Sequence, residues 1–268
     1  MELLSGKVNR RKFRAALAEL PKTRDDIYAT VMERITGQDE ARQMIATTAL
    51  IWITYAKERL HVDQLLHAIA VNLDPEIEDI ETDDLIDIEL LLSSCLGLVV
   101  INKGDGIVRL VHYTTQDYLE TNFPKLDANT FIAKATMKYL DFAVDLSSTS
   151  EEMKEYTSDP YLYQDMMRKR LETLDEKYEL AAYAAKYVGV HVREGDEKGL
   201  SRDVLVFLSA QEREATSYFK SFLERETSGV SKLHFLSIYG LSCVCGAYLI
   251  EDTRPGSLSA TPREFFLT

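Results

Sequence analysis

The sequence predicts a mainly α-helical protein that carries one two-stranded β-hairpin, and three observations lead to this. Apolar residues recur at helical spacing in several segments before residue 95. Two β-branched runs, residues 97–101 and 107–111, flank the turn Asn102-Lys103-Gly104-Asp105-Gly106, whose residue types supply the positive φ angles of a tight reversal. Helical patterning then resumes and continues through most of the remaining chain. Helices followed by a two-stranded wing read as a winged-helix domain, here with a helical region behind it.

Each element has a local reason. Residues 23–35 form the first helix: Pro21 stops what precedes it, and Thr23 with Asp26 makes a capping-box pattern with Asp in place of Glu. In the second, residues 39–56, the positions Ile45, Ala49, Trp52, Ile53 and Ala56 give one broad apolar face, and Trp52 reads as a core anchor. A third helix is expected over 62–71 and a fourth over about 83–94. After the hairpin, Thr114 or Thr115 is expected to cap a short helix running to about Thr121. That places His112 one step before a helix N-terminus, where N–H groups and the dipole favour an anion. A histidine so placed also reads as a capped, hydrogen-bonded side chain with no ligand.

Further helices are expected over 128–145, 161–174 and 177–192, with two more between 199 and 225. The polar stretch 147–160 reads as a linker. The alanine-rich segment 178–187 permits close helix approach, with Tyr183 and Tyr187 on one face as core packing.

Four stretches within residues 11–120, R-K-F-R-A-A-L-A-E-L-P-K-T-R-D-D-I-Y, A-L-I-W-I-T-Y-A-K-E-R-L, C-L-G-L-V-V and R-L-V-H-Y-T-T-Q-D-Y-L, carry a resemblance. Together they resemble the segment behind the nucleotide-binding module of fungal NACHT (NLR-like) proteins, a winged-helix domain of the GPI inositol-deacylase type. The resemblance implies that residues 1–22 are the C-terminal arm of a NACHT helical subdomain, and 23–122 the winged helix. It places His112 where such switches sense the phosphates of nucleotide held on a neighbouring P-loop domain, although Tyr113 stands where plant relatives carry aspartate. A connector pattern ending at Tyr187, in place of the usual tryptophan, assigns 123–228 to an α-helical connector. Ser231-Lys232-Leu233-His234 with Gly240 and Leu241 behind it resembles an ankyrin start, and Thr261-Pro262 recurs thirty residues after Ser231. Residues 229–268 are thus expected to be a degenerate ankyrin-like helix pair, with His234 stabilising its turn.

What is missing bounds the chemistry. The sequence contains no G-x-x-x-x-G-K-S/T, and its only glycine cluster is the hairpin turn. No cofactor is therefore expected on this chain, ADP or ATP entering only with a NACHT core, of which this would be the C-terminal part. Neither G-x-S-x-G nor H-E-x-x-H occurs, and His61, His67, His112, His191 and His234 lie at no metal-ligand spacing. The expectation is a non-enzymatic protein with no catalytic residues and no metal. Cys95, Cys243 and Cys245 form an odd set, the last two read as small buried thiols on one helix, and a reduced, cytoplasmic setting is the simplest reading. The basic start (Lys7, Arg10, Arg11, Lys12, Arg14) carries Glu2 and runs directly into arm-like sequence containing Glu19, which argues against a targeting peptide. No apolar run approaches the roughly 20 residues of a membrane span.

With 268 residues, 46% of them hydrophobic, the chain can bury a substantial core. Its net charge of −13 is uneven: residues 74–89 hold nine acidic side chains and no basic one. This weighs against a DNA-binding winged helix, whose third helix needs lysine and arginine to neutralise phosphate. Calcium binding lacks the D-x-D/N-x-D/N-G spacing. The run reads as a solvated loop with favourable charge at a helix N-terminus.

The expected function is a non-enzymatic regulatory and interaction segment of a NACHT-ankyrin signalling switch, implied in self/non-self recognition or cell death. Its partners would be proteins, with an intramolecular contact to a NACHT domain. The alternative is a stand-alone protein-binding adaptor without nucleotide control, and a DNA-binding winged helix ranks behind both.

Overall fold

The computed structural model describes residues 23–74, 77–142, 177–213 and 232–252. The expected arm over 1–22, the linker over 147–160, the helix over 161–174 and the Thr261-Pro262 recurrence lie outside them. Helix α1 (Arg24–Thr36) starts as its sequence dictates: Thr23 Oγ1 accepts the Asp26 N–H and Asp26 Oδ2 accepts the Thr23 N–H, both at 3.1 Å. Helix α2 (Glu40–Tyr55), capped by Asp39, is the central element. Trp52 is fully buried on it, as its apolar spacing predicts. Burial extends to Ala46, Thr48, Leu50 and Thr54, beyond the single face expected, because neighbours cover this helix on several sides.

Helix α3 (Val62–Leu73) packs on α2, and His61 caps it in a capping box with Gln64. The helix expected over 83–94 is divided. Thr82–Asp84 make one 3-10 turn, the chain extends at Leu85, and α4 (Ile88–Ser94) begins only after Asp87. Asp84 Oδ2 accepts the Glu81 N–H at 2.8 Å, a local bond of the kind that aspartate offers the backbone in place of continued helix.

Strands β1 (Val99–Ile101) and β2 (Val108–Leu110) pair antiparallel, with Val99 opposite Leu110, Val100 opposite Arg109 and Ile101 opposite Val108. Of the five turn residues only Gly106 takes a positive φ, +68°. The rest of the reversal is shaped by side chains, Asn102 Oδ1 accepting the Gly104 N–H and Asp105 Oδ1 the Ile107 N–H. The wing has a third, minimal strand that the sequence did not reveal. His61 bridges Ile107 antiparallel, flanked by bonds from Val62 N–H to Gly106 O and from Val108 N–H to Leu60 O.

Helix α5 (Tyr113–Asn122) leads into α6 (Lys125–Phe142), which begins directly after Pro124, three residues ahead of the expected start. Helix α7 (Ala181–Glu194) starts four residues later than expected, because Lys177 and Tyr178 are turned to a partner described below. It lies along α6 in the most extensive helix–helix contact. Helix α8 (Glu197–Arg213) begins two residues before the expected position, and residues beyond 213 in that region lie outside the description.

Helices α9 (Lys232–Tyr239) and α10 (Ser242–Asp252) form a pair hinged at Gly240, φ +65°. His234 stands in the first turn of α9 with an exposed side chain. The expectation of two buried thiols is corrected: Val244 is the buried residue of α10, while Cys243 is exposed and Cys245 half-buried, since flanking positions turn away from the buried side of a helix. Helix α9 approaches α7 at Gly189, where a Cβ atom would come within 2.2 Å of the Tyr239 ring. One continuous core runs from Ile35 through Trp52, Ile132 and Tyr183 to Val244. No helix among the described residues is long and apolar enough to cross a membrane.

Candidate functional site

His112 ends the wing and starts α5, and the helix is capped by the imidazole itself, not by Thr114 or Thr115. Nδ1 accepts the Thr114 N–H at 3.2 Å, and the Thr115 N–H is taken by the His112 carbonyl at 3.0 Å. Both threonines are buried inside the first turn. Their hydroxyls meet Tyr28 of α1 in a chain that can run in one sense only. Thr115 Oγ1 donates to Tyr28 OH at 3.2 Å, and Tyr28 OH to Thr114 Oγ1 at 2.7 Å. Thr114 Oγ1 then donates to His112 Nδ1 at 2.8 Å. With Nδ1 an acceptor twice over, the ring proton of neutral His112 resides on Nε2, which has no partner among the described residues. The Thr114 N–H, one of the orphan donors of the helix N-terminus, is thus satisfied by the imidazole.

This arrangement yields a direct expectation. Thr114→Val removes the hydroxyl donor to Nδ1 and keeps the backbone one, so the Nδ1–H tautomer of His112 should rise while Nε2–H remains the major form. Two-bond ¹H–¹⁵N correlation spectra of the ring would show it; an unchanged tautomer ratio would remove the hydroxyl relay as the cause.

His112 lines a groove of about 510 Å³ that opens between the end of α2, the loop 56–60, β2 and the first turn of α5. Tyr113, 74% exposed, lays its ring 4.5 Å from the imidazole at the groove edge. The floor loop contributes Lys57, Glu58 and Arg59, and β2 contributes Arg109. Two of these are already engaged by α7. Lys57 Nζ donates to Asn129 Oδ1 at 3.0 Å and to Glu194 Oε2 at 3.2 Å, and Glu58 Oε2 accepts from Lys186 and from Tyr187 OH. Arg59 and Arg109 are exposed and form no ion pair among the described residues.

A buried polar seam fixes this loop from below. Asn129 Oδ1, already accepting from Lys57, can only accept from His191 Nδ1–H at 2.8 Å, so His191 Nε2 accepts from Tyr183 OH, also at 2.8 Å. Tyr183 OH in turn accepts the Lys57 N–H at 3.0 Å. Burial, together with the Lys57 charge, drives the His191 pKa down to about 3, whereas burial pushes the Tyr183 hydroxyl well above its ordinary value. Glu194 is held below the usual carboxylate range by its hydrogen bond from Lys125, which with that from Lys57 outweighs burial. His191 and Tyr183 could not be singled out as a pair in the sequence; only the eight-residue spacing on an alanine-rich helix hinted at one face.

The acidic run also finds a use. Asp79 accepts from Lys177 Nζ at 2.6 Å, from Tyr178 OH at 2.8 Å and from the Ile80 N–H at 2.8 Å. Burial alone would raise its carboxyl, but these three bonds reverse the sign and hold it below the ordinary range. The loop is thus tied to the chain just ahead of α7, beyond the solvated loop expected. Helix α4 carries Glu89, with Asp87 at its start, and no basic residue.

Residues 24–142, with a central helix, two shorter helices and a hairpin completed by the residue 61 bridge, define a winged-helix domain. Residues 32–133 match the family model described as the winged helix domain of GPI inositol-deacylase. Comparison with curated proteins and with solved structures returned no match.

Proposed function

We propose that this chain is the winged-helix and helical segment of a non-enzymatic NACHT-ankyrin type signalling switch, of the fungal NLR-like kind, acting through protein partners in the cytoplasm. In this reading His112 meets a phosphate oxygen of nucleotide held by a P-loop domain, and the α9–α10 pair begins an ankyrin-like array. The observation that carries it is the fixed imidazole: a groove-lining ring whose Nδ1 is occupied by the Thr114 N–H and hydroxyl keeps an Nε2–H with no partner among the described residues, a donor available to an anion. The α4 chemistry argues against a nucleic-acid partner.

The test begins with the full transcript, which should encode an in-frame Walker A loop upstream of Met1. In that longer product His112→Ala should speed ADP release by about tenfold or more, the worth of one hydrogen bond to a charged group. A transcript without a P-loop, or an unchanged release rate, overturns the reading. A protein-binding adaptor without nucleotide control would then take its place, a reading favoured by the apolar side chains of Val206, Leu249 and Ile250, all more than half exposed.

A further inference from the structure

Antiparallel pairing usually sets unlike or neutral side chains against each other, and like charges directly opposite destabilise a sheet. The wing breaks this rule at one place. The His61–Ile107 bridge and the bond from Val108 N–H to Leu60 O end the pairing at Leu60, and its register carried one residue further places Arg59 across from Arg109, both of them lining the groove. Leu60 and Val108, one step along each strand, are buried, so the two arginines share the outer face. The residue across from Arg109 on its other side is Val100, which cannot relieve the charge. The one carboxylate of the groove, Glu58, is bound by Lys186 and Tyr187, and the one lysine, Lys57, by Glu194. Among the described residues two guanidinium groups thus line one groove without an ion-pair partner, in a chain of net charge −13. A local violation without a structural return marks a place where function sets the residue.

We propose that Arg59 and Arg109 bind a phosphate group in the groove, bridging it between their guanidinium groups, with the His112 Nε2–H as third donor. Guanidinium forks match phosphate oxygens bidentately, and a dianion between the two charges removes their mutual repulsion. The ligand class is a small phosphate-bearing anion, either free or as the phosphate end of a nucleotide. For that chemical class the inference rests on the phosphate reading of His112, while the arginine pair stands on the register alone.

The experiment titrates the full chain with inorganic pyrophosphate and, separately, with ADP, by calorimetry at low ionic strength. It uses wild type, Arg59→Gln, Arg109→Gln, Arg109→Glu and His112→Ala, with a thermal melt of each. Pyrophosphate should bind wild type in the millimolar range or tighter, and each glutamine variant should weaken it by about tenfold. Arg109→Glu should abolish binding yet melt no lower than wild type, because it converts a repulsive cross-strand pair into an attractive one. That opposite movement separates a binding role from a structural one. ADP binding that depends on the same arginines supports the assignment, and its affinity relative to pyrophosphate tells whether the nucleoside contributes. If the arginine variants lose binding and His112→Ala does not, the arginine site holds and the histidine reading fails. The proposal is overturned if wild type binds neither anion, if binding depends on His112 alone, or if duplex DNA binds through these arginines while pyrophosphate does not.

Discussion

Between pH 6.5 and pH 4 the protein should lose stability steeply, and His191→Gln should remove much of that loss. His191 is buried and neutral, with a pKa of about 3 against an unfolded value near 6.5. Below 6.5 the unfolded chain takes up a proton that the folded chain refuses, so the stability present at neutral pH is lost as pH falls. The slope is about 1.4 kcal/mol per pH unit for this one group, and the whole span to pH 3 amounts to on the order of 4–5 kcal/mol. His67, buried against Tyr139 with its pKa lowered by burial, adds in the same direction. The lowered carboxylates Asp79 and Glu194 begin to act below about pH 5, as their unfolded counterparts take up protons, so the window from about pH 6.5 to 5 reports the histidines. Glutamine can still donate to Asn129 and accept from Tyr183, which keeps the seam bonded. Urea unfolding at half-unit pH steps measures the slope. An unaltered slope in the variant would mean that His191 is already accessible to protons in the folded state.

Gly106→Ala should cost about 2–4 kcal/mol and disturb the groove more than the core. The left-handed φ of +68° costs an L-residue about 1–2 kcal/mol, and the added Cβ would lie 2.0 Å from His61 Nε2, forcing the ring that caps α3 to move. Since His61 also forms the bridge to Ile107 that joins this loop to the wing, amide shifts should spread along loop 56–60 and β2. Gly104→Ala, at a turn position with ordinary φ and only the Asn102 side chain nearby, should change the melting temperature little. Equal losses at the two glycines would show that turn chemistry in general, and not this close approach, limits the wing.

Local chemistry was enough to write much of this fold from residues alone. Thr23 and Asp26 box the first helix wherever that helix goes, the alternating β-branched runs around Asn102–Gly106 can only be a hairpin, and the spacing about Trp52 requires a buried face; each depends on neighbours within a turn or two. The position of His112 between wing and helix was legible for the same reason. Its role as the cap was not, because the choice between His112 and the two threonines was made by Tyr28, eighty-six residues from Thr114, which drew their hydroxyls inward. The break in the acidic segment follows a short-range bond at Asp84, but the value of Asp79 depends on Lys177 and Tyr178 far along the chain. The third strand of the wing is one bridged residue, too short for any periodicity to mark, and its register is what places Arg59 across from Arg109. The sequence by itself thus determined most of the described helices, the hairpin and the histidine between them, where capping, turn chemistry and apolar spacing act locally. Tertiary structure decided the buried His191 seam and the charge of the groove, because those depend on which distant side chains share a low-dielectric interior or a strand register, and no local pattern encodes that proximity.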